Sequence, residues 1–200
     1  AFMDIRPYKS PLGGHMEVRY APMKASETFE GGELIYINSS GEALTAPKDG
    51  TQTLLGESAI GTGVIFGVAV NGPGTAAVAA TPKSRAWIDP NTGTTYATGA
   101  QIGYYTTGPG KLFISQFLVA GGASGAATTV SGADRGIVYE ITYDSSGTPD
   151  AGWGVELTAG VVATDLLARV VDILDVNYKR LSATAATGVY AVFEILTSVS

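Results

Sequence analysis

The chain has no cysteine and only one histidine, His15. Without thiols there is neither a disulfide framework nor a thiolate nucleophile. A Ser-His-Asp arrangement would have to use His15, which sits beside paired glycines in a Pro-rich stretch with no partner constellation nearby. A zinc site needs three or four His, Cys or carboxylate ligands, and here it would have to be built almost wholly of carboxylates. Charge is also scarce, at 15% of residues with a net −6. No cluster of Lys and Arg is dense enough to neutralise phosphates, so nucleic acid is not expected as a partner. Long apolar runs are missing as well. Val64–Val70, the most extended, is about a third of a membrane span, and AFMDIRPYKS lacks the apolar core of a signal peptide. The chain therefore reads as soluble, with no membrane partner.

What is present is glycine, 27 of 200 residues, and a 45% apolar content rich in Val, Ile, Thr, Tyr and Ala. Short β-favouring runs broken by Gly clusters predict an all-β fold, either a compact β-barrel or a β-tulip or sandwich-like body. Residues 1–24 read as an extended N-terminal arm, because Pro7, Pro11, Gly13, Gly14 and Pro22 interrupt regular structure. Within it, Met16–Tyr20 alternates and could form one strand. Residues 25–200 read as a single β-rich body.

In that body, 33–38 and 43–45 predict a hairpin around Ser39-Ser40-Gly41-Glu42. Residues 63–70 predict a central buried strand whose glycines mark a bulge or a close backbone approach. Strands are further expected near 85–88, 94–97, 101–105, 112–119, 136–143, 153–157 and 189–197. The stretch 120–131 is small and Gly/Ala-rich and reads as a mobile loop. Residues 164–174 have a possible N-cap and near-helical spacing, yet the Val and Ile content favours a strand from Ala168 onward.

The remaining candidates for chemistry are few. Gly61-Thr62-Gly63 lacks the third glycine of a dinucleotide fingerprint, and Gly108-Pro109-Gly110-Lys111 reads as a turn. Asp89-x-Asn91-x-Gly93 resembles half a calcium loop but has no later bidentate acid. Asp172 with Asp175, and Asp144 with Asp150, could pair for acid–base work, although Asp at turns and strand ends accounts for them. Tyr104, Tyr105, Trp87, Tyr96 and Trp153 could line a sugar platform or simply pack in cores and subunit contacts. No metal or cofactor is expected, and the chain reads as a non-enzyme.

The arm carries Arg6, Lys9, Arg19 and Lys24 against Asp4 and Glu17, a net +2 that leaves −8 for the rest. Phe2, Ile5, Tyr8, Leu12 and Met16 are apolar groups that so short a segment cannot bury by itself. The candidate partner-binding residues are therefore Phe2, Ile5, Arg6, Tyr8, Lys9, Leu12, Met16 and Arg19. On this reading, removing 1–14 leaves the body's melting temperature unchanged and abolishes attachment.

The order of segments carries a resemblance. Phe29-Glu30-Gly31-Gly32-Glu33-Leu34-Ile35-Tyr36, Ser40-Gly41-Glu42-Ala43-Leu44 and Ile65-Phe66-Gly67-Val68-Ala69 are followed by Trp153-Gly154-Val155-Glu156-Leu157. Then come Ala168-Arg169-Val170-Val171-Asp172-Ile173-Leu174 and Tyr190-Ala191-Val192-Phe193-Glu194-Ile195-Leu196. Over roughly 29–70 and 136–197 this resembles the capsid decoration, or cement, proteins of tailed bacteriophages, with Gly-Gly-Glu at 31–33 where that pattern has Gly-Asp. The resemblance implies a β-barrel or tulip-like body on the virion's capsid surface. It also implies the major capsid protein as partner, and self-association, commonly as a homotrimer. It transfers no catalytic residue. A carbohydrate- or receptor-binding β module and a carboxylate-pair hydrolase remain as alternatives.

Overall fold

The computed structural model describes residues 5–9, 15–22, 31–38, 40–46, 65–70, 101–118, 130–144, 152–156, 167–182 and 188–196. They form eleven strands in two sheets: β1 (Arg6–Lys9), β2 (Val18–Pro22), β3 (Leu34–Ile37), β4 (Ala43–Thr45), β5 (Ile65–Ala69), β6 (Gln101–Thr106), β7 (Leu112–Leu118), β8 (Val138–Asp144), β9 (Gly152–Glu156), β10 (Leu167–Leu174) and β11 (Tyr190–Leu196). No α-helix occurs among the described residues; one 3-10 turn spans Gly132–Asp134. The ambiguous segment near 168 is strand, as its β-branched content favours.

The six-stranded sheet runs β1-β7-β11-β10-β8-β9 and returns on itself, because β9 also pairs with β7 in parallel. β7 has β11 along one edge. Its other edge is shared end to end by β1, opposite residues 112–114, and by β9, opposite Phe117 and Leu118. The near-closure needs a close approach at Gly154, where a Cβ would lie 2.7 Å from both the Gln116 carbonyl oxygen and Leu118 Cγ. Only a residue without a side chain leaves room for β7 there.

Alternation fills this sheet's interior. Ala191, Phe193 and Ile195 from β11, Tyr139 and Ile141 from β8, and Trp153 and Val155 from β9 share one apolar cluster with Phe113 and Phe117. On β10 the inward residues are Ala168, Val170 and then Ile173. That step of three comes from a β-bulge: Val170 faces Phe193 and Asp172 faces Val192, which leaves Val171 as the extra residue. One added residue reverses the phase of everything after it.

The five-stranded sheet runs β2-β6-β5-β3-β4. Leu34, Tyr36, Leu44 and Val68 join the core of the first sheet, while Ile35, Ala43, Ala69, Ile102 and Tyr104 form a second cluster on the opposite face. β5 lies between β6 and β3, and a Cβ on Gly67 would run into the Tyr105 carbonyl oxygen. The expected hairpin at 33–45 is present as β3–β4. Its turn is held by Asn38, whose Oδ1 accepts from the Ser40 and Glu42 amides at 2.9 Å each, with Gly41 at φ +79.

The stretch 120–131 lies outside the described residues except for its last two positions. Val130 is buried in the main core, and the Ser131 side chain caps the 3-10 turn by accepting from the Ala133 amide, so both belong to the body. The strands expected at 85–88 and 94–97 fall outside the described residues.

Candidate interaction surface

Of the residues singled out in 1–24, Arg6, Tyr8 and Lys9 lie in β1 and Arg19 in β2, and among the described residues each of these strands is paired on one side only. β1 ends the six-stranded sheet and β2 ends the five-stranded one. Pro7 does not prevent β1 from forming. An edge strand needs hydrogen bonds on one side only, and the strand bulges between Pro7 and Lys9.

Ile5 is a correction to the expected docking residues. It is 1% exposed in the main core, so its apolar surface is buried by this chain and not by a neighbour. Met16 is half-buried against the same core. Arg6 and Tyr8 stand exposed on β1, and Arg19 is exposed on β2. Lys9 lies in β1, and nothing is described of its side chain. Phe2 and Leu12 fall outside the described residues. Sequence reasoning did not single out Val18 and Tyr20, which are 37% and 52% exposed on β2. The alternation through Met16–Tyr20 placed them on one face and was the available signal.

Glu17 links β2 to the turn before β7. Its carboxylate accepts from Arg19 Nε at 2.8 Å, from Lys111 Nζ at 3.4 Å and from Thr106 Oγ1 at 3.3 Å. The hydrogen bond from Arg19, against a smaller opposing effect of burial and aided by the Arg19 charge and Lys111, holds the Glu17 carboxyl below its ordinary pKa.

A second polar cluster fastens the 3-10 turn to the bulge of β10. Asp172 Oδ1 accepts from Arg135 Nε at 2.7 Å, from Arg180 Nε at 3.1 Å and from the Ile173 amide at 2.9 Å. Arg135 also donates to the carbonyls of Leu181 and Gly132. Burial by itself would raise the Asp172 pKa, but these donors together with the Arg180 charge more than offset it and leave the pKa lowered. Asp134 accepts from the Tyr139 hydroxyl at 2.7 Å and from the Ser131 amide at 2.7 Å.

The candidate carboxylate pairs are separated in role. Asp172 is held by two arginines, whereas Asp175 Oδ1 accepts from the Asn177 and Lys179 amides and shapes the turn after β10. That turn puts Tyr178 at φ +60 and lays its ring on Tyr190, with centroids 5.0 Å apart and planes 14° apart. Asp144 ends β8, and Asp150 is outside the described residues. Of the aromatic set, Tyr104 and Tyr105 lie on opposite faces of the five-stranded sheet and Trp153 is buried in the main core. Trp87 and Tyr96, like Asp89–Gly93, fall outside the described residues. His15 is exposed. Among the described residues no three His, Cys, Asp or Glu side chains gather in a metal-binding arrangement.

No family model, no curated protein and no solved structure matches the chain.

Proposed function

We propose that the chain is a non-enzymatic structural protein of a tailed-bacteriophage head. It binds the outer surface of the capsid and holds neighbouring capsomers together, on a body of the β-barrel or β-tulip kind. One observation carries this reading: among the described residues β1 and β2 each lie at an edge of their sheet, with Arg6, Tyr8, Arg19 and Tyr20 exposed along them. Open edges with a mixture of aromatic and basic side chains offer main-chain hydrogen bonds to an added strand and attraction to an acidic surface. The resemblance supports it too, since its quoted runs overlap β3, β4, β5, β9, β10 and β11, which contribute buried residues to the two cores beside those of β6, β7 and β8.

The test is to mix the purified chain with heads assembled from the major capsid protein of the virus that encodes it. Sedimentation and cryo-electron microscopy then read attachment. The expected result is saturable binding with density at repeated outer-surface positions, reduced by the double variant Arg6→Glu/Tyr8→Ala. Heads that stay bare at saturating protein would end the proposal.

A further inference from the structure

The outer edge of β2 is open among the described residues, and its backbone phase is fixed by two hydrogen bonds. The Thr106 amide donates to the Glu17 carbonyl at 3.2 Å, in register with Val18 opposite Tyr105. On the far side of β6, the Val70 amide donates to the Gly103 carbonyl at 3.0 Å, and Gly103 lies opposite Tyr20. Antiparallel pairing alternates, so Glu17, Arg19 and Ala21 turn their backbone groups toward β6. Met16, Val18 and Tyr20 turn theirs outward. The side chains alternate as well. Val18 and Tyr20 flank Gly103, where a Cβ would lie 3.1 Å from Tyr20 Cε1 and 3.6 Å from Val18 Cγ1. Glu17 and Arg19 project from the opposite face.

This edge is complementary to itself in one register. A second β2 running antiparallel, with Val18 opposite Val18, aligns Met16, Val18 and Tyr20 with the outward backbone groups of Tyr20, Val18 and Met16 in the second copy. Glu17 then faces the second copy's Arg19, and Arg19 its Glu17. Both are non-hydrogen-bonded pairs, where side chains come closest. The neighbouring registers fail. Setting Val18 opposite Tyr20 puts Arg19 against Arg19. Setting Met16 opposite Val18 puts Glu17 against Glu17. Setting Tyr20 opposite Tyr20 runs Val18 against Pro22, which has no N–H to give.

We propose that β2 is a homodimerisation strand. Two copies pair antiparallel about a twofold axis at Val18, joining their five-stranded sheets into one, with Glu17 of each copy on Arg19 of the other. Such an isologous contact is closed and stops at two copies. Met16, Val18 and Tyr20 of both copies then form one apolar row, and the Glu17–Arg19 pair within each chain, 2.8 Å apart, becomes part of a four-charge ladder.

The proposal does not depend on the capsid reading, because its test needs only the purified full-length chain. Val18→Cys introduces one thiol into a chain that has none. Paired residues on the axis have Cα atoms about 5.5 Å apart, within disulfide range. Mild oxidation should convert Val18→Cys to a covalent dimer, while Tyr20→Cys, roughly 13 Å from its own copy, should cross-link at least about tenfold less. Glu17→Arg and Arg19→Glu should each weaken self-association in analytical ultracentrifugation by about tenfold or more, because like charges then face each other twice. An equal mixture of the two variants should restore a heterodimer, which a folding defect could not do. A chain that remains monomeric at high concentration, equal cross-linking at 18 and 20, or a mixture that stays monomeric would each overturn the proposal.

Discussion

Ile5→Ala tests whether the N-terminal segment is part of the body or only rests on it. Ile5 precedes β1 and is 1% exposed in the cluster that contains Phe113, Phe193 and Trp153. The substitution removes three carbons, about 2.4 kcal/mol at roughly 0.8 kcal/mol per buried methylene. A residual cavity adds to this, though an edge strand relaxes inward more easily than a central one. A total near 3 kcal/mol follows, within the ~2–5 kcal/mol range of buried Ile-to-Ala changes. For a chain of this length each kcal/mol moves the melting temperature by roughly 2–4 °C, so a fall of about 6–12 °C is expected in calorimetry. Urea unfolding should show a lower midpoint at an unchanged slope. Tyr8→Ala, at the exposed bulge of the same strand, should stay within about 0.5 kcal/mol of the parent. If Ile5→Ala also stays that close, the segment is not in the core and the reasoning fails. The same burial revises the expectation for removing 1–14: the truncated body should lose stability, so attachment is better probed by exposed substitutions.

Three further outcomes are expected. Asp172 has a lowered folded pKa, so its stabilising contribution is complete above the unfolded value near 3.9 and is lost as pH falls through the folded value. Urea midpoints measured from about pH 5 to pH 2.5 should therefore fall less steeply in Asp172→Asn than in the parent, and parallel curves would contradict the arginine clamp. Gly154→Ala should cost about 1–3 kcal/mol by pushing β9 off β7, read as early loss of amide protection at Leu118, which faces β9, while Phe117, whose amide donates to the Val189 carbonyl, stays protected. Tyr178→Ala should cost about 1 kcal/mol through loss of the ring stacked on Tyr190, with the positive φ kept because alanine retains the Cβ, and an unchanged melting temperature would show that the stack contributes nothing.

Strands whose partners sit on both sides were legible because they are apolar and bounded by Gly. The segments near 34–37, 65–69 and 190–196 needed only alternation and turn chemistry, and Gly67 was readable as a close approach. β1 was not legible. Its proline argues against a strand unless the strand is known to be an edge, and that follows from β7, more than 100 residues later. The bulge at Val171 was hidden for a related reason, since a run of apolar residues does not say which one is extra until Phe193 and Val192 are set opposite. Arg135, Asp172 and Arg180 come from three separate positions, and only the fold brings them together. The charges and aromatics of the N-terminal segment were visible in advance. The inward turn of Ile5 was not, because burial depends on the partner strand.

The shared edge of β7 also bears on biosynthesis. β1 emerges from the ribosome before its partner, and about a hundred residues separate it from Leu112–Ile114. At 5–20 residues per second that is a wait of roughly 5–20 s. During that interval a short β-forming segment is exposed to every other nascent chain nearby. Pro7, together with Arg6 before it and Lys9 two residues after it, lowers the tendency of that segment to pair with the wrong strand. The same proline that obscures β1 in the sequence thus acts as a gatekeeper against aggregation while the chain is still incomplete.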